Sequence, residues 1–421
     1  MKLVIAEKPS VAMALASVLG ARTRKDGYVE GNGYIVSWCV GHLVGLCDAS
    51  EYDEKYKKWR YEDLPIVPEC WKHKVLEGTK KQFGILKKLM RDSKVDEVIC
   101  ATDAGREGEL IFRLVYEQAG CKKPMKRLWI SSMEEQAIKD GFASLKDGSC
   151  YDSLYQSALC RAKADWLVGI NASRLFSVLY NQNLKVGRVQ TPTLAMIVDR
   201  NQKIKEFTKE KYYMAHIKFD DMDAVTENFQ KKEDADKVAA ECQERMCEVE
   251  KDDVKEKTVR PPKLYDLTTL QREANRMFGY TAQQTLDAVQ EMYEQKLVTY
   301  PRTDSQYLTD EMGESTETLI QMLFGKMPYA EGLEYQPDVS KVLNSKKVSD
   351  HHAIIPTMEV AKADIGELKE RSRKILYLIS ARVLTATADP YIYESHKCQI
   401  TCNYHTFYLN AKKTKQEGFK T

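Results

Sequence analysis

The stretch with the clearest chemical potential is residues 297–305, which read Leu-Val-Thr-Tyr-Pro-Arg-Thr-Asp-Ser. Strand-forming residues lead to Tyr300, and Pro301 then ends the strand. Because alternate side chains of an extended chain share a face, we expect Tyr300 and Arg302 to point the same way. A phenolate can attack a phosphodiester, and a guanidinium can stabilise the charge that develops on phosphate oxygens. The alternative is a strand end whose polar side chains face solvent, which a motif this short does not exclude.

Acidic residues follow two predicted strands in the first part of the chain. One buried-strand pattern ends at Glu7 and Lys8, and a second ends at Asp103, with Glu107 one helical turn further on. Open α/β sheets bind ligands at the carboxyl ends of their strands, and carboxylates suit Mg²⁺, which bridges to phosphate. Each set alone could be a surface ion pair or a group of acids at a helix N-terminus. Two such strand ends together favour a metal and phosphate site.

Two further polar segments could bind nucleic acid. Residues 185–193 place Arg188 and Gln190 beside Gly187, and a glycine lets the backbone approach a ligand closely. His351 and His352 precede an apolar run and could be metal ligands, proton carriers or phosphate donors. The alternatives are an ordinary loop-to-helix junction and a pair of exposed histidines.

The composition indicates a soluble, cytoplasmic protein of two to four domains. The chain has 421 residues, 43% of them apolar and 30% charged, with a net charge of +2. A basic surface must therefore be local. The eleven cysteines contain no Cys-x-x-Cys pair and are expected to be reduced and mostly buried. No apolar run is long enough to span a membrane, and no Walker motif indicates use of ATP.

The periodicity of apolar residues predicts the elements that position these groups. Helices are expected over residues 11–19, 77–91, 110–118, 134–145, 151–180, 231–245, 267–278, 281–295, 309–324 and 365–388. Strands are expected over residues 2–6, 34–40, 95–101, 127–130, 211–219, 247–256 and 396–410. Ser10 and Gly20 are expected to cap the first helix. A shift in composition at residues 259–262 predicts a domain edge.

Taken together, these stretches resemble the type IA DNA topoisomerases, most closely the bacterial topoisomerase III group. The similarity covers nearly the whole chain and rests on eight motifs that occur in the family's order. They span residues 5–10, 41–43, 102–109, 165–174, 187–193, 267–271, 299–305 and 351–357.

The resemblance implies a multidomain fold, α/β followed by mainly α. Its implied parts are a Toprim α/β domain over residues 1–150, a winged-helix-like DNA-binding segment over 151–208, the first part of a β arch over 209–264, a helical domain with the catalytic tyrosine over 265–392, and a return into the arch over 393–421. The family core extends further, so the chain is expected to be truncated at its C-terminus.

The resemblance also implies an ATP-independent isomerase that cuts and rejoins one DNA strand through a 5′-phosphotyrosine, relaxing negative supercoils or decatenating DNA. The implied catalytic residues are Tyr300, Arg302, Glu7, Lys8 and His351. The implied ligands of Mg²⁺ are Glu7, Asp103 and Glu107. The implied DNA-binding residues are Arg161, Asp165, Arg174, Lys185, Val186, Gly187, Arg188, Val189, Gln190, Thr191 and His352.

One departure from the family affects the metal: Gly105 replaces the middle acid of the usual Asp-x-Asp-x-Glu pattern, so a second ion is not expected. The implied partner is single-stranded or negatively supercoiled DNA, associated with a nucleoid or plasmid, and the protein is expected to be a monomer, with a helicase as a possible partner. Two alternatives stay open: a truncated relic that binds single-stranded DNA without strand passage, and a Toprim nuclease or primase. The tyrosine segment argues against the latter.

Overall fold

A computed structural model describes residues 1–130, 133–332, 336–348 and 351–420. Its helices are α1 (Pro9–Leu19), α2 (Lys80–Arg91), α3 (Arg106–Ala119), α4 (Glu135–Ala143), α5 (Asp152–Tyr180), α6 (Gln190–Lys205), α7 (Lys232–Cys242), α8 (Leu267–Phe278), α9 (Ala282–Glu294), α10 (Gly313–Lys326) and α11 (Glu370–Thr387). No helix among the described residues is both long and apolar enough to cross a membrane.

The strands follow the same order along the chain. They are β1 (Lys2–Ala6), β2 (Thr23–Lys25), β3 (Tyr28–Gly31), β4 (Tyr34–Trp38), β5 (Val44–Leu46), β6 (His73–Val75), β7 (Glu97–Ala101), β8 (Met125–Arg127), β9 (Lys146–Asp147), β10 (His216–Phe219), β11 (Met222–Val225), β12 (Cys247–Val259), β13 (Tyr391–Cys402) and β14 (His405–Gln416).

The chain divides into two compact units. The first unit comprises Met1–Asn201, Asp266–Ser305 and Lys347–Leu376. The second unit comprises Gln202–Tyr265, Gln306–Lys346 and Tyr377–Thr421.

The first unit is built on a seven-stranded sheet with the strand order β2-β3-β4-β1-β7-β8-β9. Strand β1 lies between β4 and β7 and runs parallel to both, with Ala6 opposite Ala101. The carboxyl ends of β1 and β7 are therefore neighbours, and the residues that follow these strands meet at one edge of the sheet. Leu3, Val98 and Phe112 belong to the apolar core that this sheet forms with its helices.

Local sequence explains where the helices of the first unit begin and end. Helix α9 starts with a capping box in which the side chains of Thr281 and Gln284 bind each other's backbone N–H groups. Helix α1 ends at Gly20, which adopts the left-handed conformation that glycine tolerates. The prediction that Ser10 caps this helix is wrong, because the helix begins at Pro9 and Lys8 holds the cap position.

The second unit contains a five-stranded antiparallel sheet with the strand order β10-β11-β14-β13-β12. Its small core contains Val238 of α7 with Ile400 and Phe407 of the sheet. A single strand was expected over residues 396–410. The structure instead has a hairpin, because Asn403 and Tyr404 adopt positive φ angles that turn the chain between β13 and β14.

The predicted strand that leads into Tyr300 is also wrong. Within residues 297–300 only Val298 forms a bridge, to Pro356, and the chain then continues without regular structure. The backbone N–H of Thr299 still binds the carbonyl oxygen of Ile355, but no strand continues through residues 300–302. The alternation that predicts one shared face for Tyr300 and Arg302 therefore does not apply: Tyr300 is buried and Arg302 is exposed.

Candidate active site around Tyr300

The phenol of Tyr300 lies at the sheet edge formed by β1 and β7. Its side chain is only 8% exposed, and its hydroxyl donates a hydrogen bond to Oδ2 of Asp103 over 2.9 Å. Its ring lies 4.3 Å from the ring of His351, centroid to centroid, and 5.4 Å from that of Tyr293. The structure thus brings together two predicted site residues that are almost two hundred positions apart in sequence.

Glu7 completes an acidic pair beside this tyrosine. Its Oε2 accepts a hydrogen bond of 3.2 Å from the backbone N–H of Asp103, as expected for residues that follow neighbouring parallel strands. Burial, followed by the negative charge of Asp103, raises the pKa of Glu7 to about 7. Burial and the same carboxylate raise the pKa of Tyr300 well above its usual value. At neutral pH the Tyr300 phenol is therefore protonated and Glu7 is partly protonated, and a positive charge would help to release both protons.

One face of α9 holds three of the predicted catalytic side chains. Oε1 of Gln290 accepts a hydrogen bond of 3.0 Å from Arg302, and the ring of Tyr293 packs edge-on against Tyr300.

Glu294, one turn after Gln290 on the same helix, forms an ion pair of 3.8 Å with Lys8. Residues spaced three and four apart share a helix face. Gln290, Tyr293 and Glu294 therefore lie on one face of α9, where they contact Arg302, Tyr300 and Lys8, respectively. Sequence reasoning missed these residues. The signal that could have identified them is their spacing of three and four residues in the helix that leads to Tyr300.

A buried arginine fixes the chain that carries Asp103. The side chain of Arg127 is fully buried and donates hydrogen bonds to the carbonyl oxygens of Thr102, at 2.8 Å, and Asp103, at 2.7 Å. Its Nε forms an ion pair of 3.0 Å with the equally buried Glu109. A charge this deeply buried persists only when it is paired and hydrogen-bonded. Arg127 therefore positions the strand end, a role that sequence reasoning missed.

The structure brings together two of the three predicted metal ligands. Glu7 and Asp103 lie together, but the Glu107 side chain is 62% exposed and lies 3.5 Å from Nε2 of His42. Among the described residues, no three His, Cys, Asp or Glu side chains are grouped so that they could hold a metal ion. The prediction of a three-carboxylate site is therefore not met, because Glu107 faces outward from the start of α3. The Glu7–Asp103 pair does fit a cation, since the negative charge of Asp103 disfavours ionisation of the neighbouring Glu7 and a cation would offset it.

The two histidines occupy different surroundings. His351 is buried, stacks on Tyr300 and has the backbone of Ala104 as a hydrogen-bonding partner. Burial lowers the pKa of His351 to about 4, so its imidazole is neutral at pH 7. Nδ1 of His352 lies 2.8 Å from the carbonyl oxygen of Ala353. His351 is thus the histidine whose ring packs against the tyrosine.

Most of the predicted DNA-binding residues form one exposed loop beside α5. Arg188 makes two contacts with Asp165, of 2.7 and 3.3 Å, and the backbone N–H of Val186 donates to Ser173. The loop continues into α6, where Oγ1 of Thr191 accepts a hydrogen bond from the N–H of Gly187. The residues of this loop that are half-buried or exposed are Lys185, Val186, Gly187, Arg188, Val189, Gln190 and Thr191. The hydrogen bond from Arg188 lowers the pKa of the Asp165 carboxyl group, and the positive charge of nearby Arg161 lowers it further.

Arg174 does not belong to this surface. It is buried at 6% exposure, with its guanidinium 5.3 Å from the centre of the Trp59 ring. Its Nε and Nη1 make no hydrogen bond to any residue that the structure describes. The prediction that it contacts DNA is therefore not supported by its position. Its place on the inward face of α5 explains the difference.

Comparisons with known proteins identify the class to which this fold and site belong. Residues 2–133 match the family described as Toprim domain, and residues 149–421 match the family described as DNA topoisomerase. The chain belongs to the type IA DNA topoisomerase family, which confirms the resemblance found in the sequence. Its Toprim domain is of a metal-binding type, and type IA topoisomerases bind DNA.

Individual relatives agree with this assignment. The chain is 40% identical over 427 residues to DNA topoisomerase 3 of Staphylococcus haemolyticus, and 43% identical over 438 residues to DNA topoisomerase 3 of Bacillus cereus. Each alignment covers 99% of this chain and 60% and 59% of the respective relative, so the chain spans about three fifths of their length. The full-length topoisomerase I of Thermotoga maritima has the same fold, with a TM-score of 0.73 at 24% identity over 99% of this chain and 66% of that one.

Proposed function

We propose that this chain cuts and rejoins one DNA strand through Tyr300. The phenolic oxygen attacks the phosphorus of a phosphodiester, and a bond forms between Tyr300 and the 5′ phosphoryl group. The bond to the 3′ oxygen breaks, and that oxygen takes up a proton to become a free 3′ hydroxyl. Resealing is the reverse reaction, and it needs no ATP because the phosphotyrosine conserves the bond energy.

The observation that carries this proposal is the 2.9 Å hydrogen bond from Tyr300 to Asp103. It gives the phenolic proton an acceptor before attack begins. A neighbouring carboxyl group, Glu7, has a pKa near the working pH, so the acidic pair is able to exchange protons at neutral pH. Arg302, two residues after Tyr300, supplies a permanent positive charge for the phosphate oxygens.

The resting contacts must be exchanged for contacts with DNA. Lys8 pairs with Glu294 and Arg302 with Gln290, and in each pair the cationic side chain is partly exposed to solvent. Such pairs contribute only about 0–1 kcal/mol, so a phosphate can displace either partner at little cost. We assign Lys8 to protonation of the leaving 3′ oxygen and neutral His351 to a hydrogen bond with the phosphate.

The cofactor proposed for this site is Mg²⁺, held by Glu7 and Asp103. The carboxylate pair is the part of the predicted ligand set that lies together, and Gly105 removes the acid that a second ion would need. When bound, such an ion supplies positive charge that orients and neutralises phosphate. It would also offset the repulsion between the two carboxylates.

The proposed substrate is single-stranded or negatively supercoiled DNA, bound along the loop that contains Arg188. The proposal extends to relaxation or decatenation of nucleoid or plasmid DNA by a monomer that works with a helicase. It also keeps the domain boundaries given above, with the Toprim domain at residues 1–150 and the tyrosine-bearing helical domain at residues 265–392. The exposed loop and its basic side chains support the DNA-binding role.

A test uses one oligonucleotide labelled at either end. The chain and Mg²⁺ are incubated with the single strand and then denatured. Attachment through the 5′ phosphoryl group predicts that the 3′ label stays on the protein and that the 5′ label is released. Binding under native conditions without any product would favour a DNA-binding relic. Shortened products without labelled protein would favour a nuclease.

A further inference from the structure

Three thiols converge at one end of the sheet in the second unit. Sγ of Cys242, at the end of α7, lies 3.3 Å from the carbonyl oxygen of Cys402, and Sγ of Cys402 lies 3.8 Å from the carbonyl oxygen of Cys242. Cys247 begins β12 directly opposite Cys402 on β13, and the two thiols lie close enough to influence each other's pKa. The cysteines were expected to be reduced and scattered. Three of them nevertheless form a cluster in the fold, which their spacing along the chain does not reveal.

The pairing of Cys247 with Cys402 has the geometry that a disulfide needs. Residues directly opposite in an antiparallel pair have Cα atoms about 4.5–5.5 Å apart, inside the range of about 4.4–6.8 Å found in disulfides. The strand register already places the two residues opposite each other, so the bond can form without rearrangement of the backbone pairing. A metal ion is a weaker interpretation, because no such ligand group occurs in the described part of the chain.

Access to solvent decides which thiol reacts first. Cys402 is 1% exposed and Cys242 is 9% exposed, whereas Cys247 is only partly buried. A small oxidant therefore reaches Cys247 before the other two thiols. Burial holds the pKa of all three thiols above the usual range, so the reaction is expected to be slower than that of an activated thiolate.

We propose that Cys247 and Cys402 form a reversible disulfide when the protein meets a peroxide. Peroxide oxidises the Cys247 thiol to a sulfenic acid and releases one water. The Cys402 sulfur then attacks the sulfenic sulfur, the S–S bond forms, and a second water leaves with the thiol proton. Two thiols lose two electrons in total, and one peroxide is reduced to two waters.

The Cys247–Cys402 disulfide would join two residues that are far apart in the sequence. The covalent loop that it closes contains the whole segment from α8 to α11, including Tyr300 and His351. The oxidised chain is therefore more compact when unfolded, and a cut anywhere inside the loop leaves the two pieces joined.

The experiment treats the full chain with excess hydrogen peroxide and maps its peptides without reduction. We expect a peptide that links Cys247 to Cys402, and faster migration of the oxidised chain on a non-reducing denaturing gel. Dithiothreitol should reverse both. Cys247→Ser should abolish the link and the gel shift, while Cys70→Ser, at an exposed thiol of the first unit, should leave both unchanged.

Three results would overturn the assignment. The first is oxidation of Cys247 to sulfinic or sulfonic acid without a link. The second is a link from Cys247 to Cys242 in place of Cys402. The third is an unmodified Cys247 under conditions that oxidise Cys70. Because the parent chain is mapped directly, the test does not depend on correct folding of the variant.

Discussion

The hydroxyl of Tyr300 and the carboxylate of Asp103 are joined by a hydrogen bond of 2.9 Å at the carboxyl end of β7. The bond holds the tyrosine at the edge of the sheet where Glu7 also lies. It also keeps the phenol protonated, because burial and the Asp103 charge both oppose formation of the phenolate. Attack on DNA therefore requires positive charge from Arg302, Lys8 or a bound cation.

Lys8 and Glu294 should respond very differently to substitution. Lys8→Ala removes the proposed proton donor and should slow adduct formation by about 10²–10⁴-fold, with little change in oligonucleotide affinity. Glu294→Gln removes only the partner of a partly exposed ion pair, so stability should change by less than about 1 kcal/mol and the rate by a few-fold. Single-turnover cleavage measures both. Equal rates for the two variants would exclude Lys8 from the chemistry.

His351 should make folding stability depend on pH. Below pH 6.5 the unfolded chain takes up a proton at this imidazole, whereas the folded chain, with a pKa of about 4, does not. The contribution of His351 to the free energy of unfolding is thus fully present above pH 6.5. It is lost as the pH falls from 6.5 through the folded-state pKa of about 4.

The size of the effect follows from the two pKa values and is about 3 kcal/mol. The difference in unfolding free energy between the parent and His351→Gln should shrink by up to that amount between pH 6.5 and pH 4. Urea unfolding in chelator-containing buffer at several pH values checks this. A constant difference would mean that His351 titrates normally in the folded chain.

Gly105 and Gly108 provide a matched pair for the metal site. A Cβ at Gly105 would meet no atom within 4 Å, and its φ of 171° is ordinary extended backbone. Gly105→Asp should therefore fold normally and tighten Mg²⁺ binding roughly tenfold, on the order of 1.4 kcal/mol, by adding a third carboxylate.

Gly108→Ala is the opposite case. Its Cβ would lie 2.1 Å from the carbonyl oxygen of Asp103, so the backbone that carries the carboxylate must move. We expect weaker Mg²⁺ binding and a loss of about 1–3 kcal/mol of stability. Calorimetric titration measures both variants. Two tight ions in the parent chain, or no gain in affinity from Gly105→Asp, would contradict the two-carboxylate site.

Asp165 and Arg188 should have opposite effects on DNA binding. Arg188→Ala removes one phosphate contact and should flatten the slope of log affinity against log salt by ~0.7 for single strands. Asp165→Asn removes the negative charge that pairs with Arg188 and replaces one of its two acceptor oxygens, so binding should tighten by a few-fold. Fluorescence anisotropy with a single-stranded oligonucleotide gives both values. An unchanged slope in Arg188→Ala would remove this residue from the interface.

The sequence predicted the sheet edge well because parallel strands follow a simple rule. Apolar runs located β1 and β7, and the rule that ligands lie at strand ends then selected Glu7 and Asp103. Helices such as α8 were also predicted, since their apolar spacing is regular.

Other features depend on contacts between distant parts of the chain. Beyond the single bridge at Val298, the chain around Tyr300 is held by contacts with α9, His351 and Asp103, so strand alternation did not predict that Tyr300 is buried and Arg302 exposed. Arg127 is a charged residue in a buried position, which hydrophobic patterning does not predict. Glu107 is exposed and lies beside His42, a tertiary contact that no local pattern encodes.

The central claim is that the Tyr300 oxygen is the nucleophile. Tyr300→Phe keeps the ring that packs on Tyr293 and His351 and removes only the hydroxyl, so the oligonucleotide should still bind with near-normal affinity. The most direct measurement is denaturing electrophoresis of the parent and of this variant after incubation with 3′-labelled single-stranded DNA and Mg²⁺. We expect labelled protein for the parent and none for Tyr300→Phe. Labelled protein of equal intensity from the variant, attached at another residue such as Tyr280 or Tyr307, would contradict it.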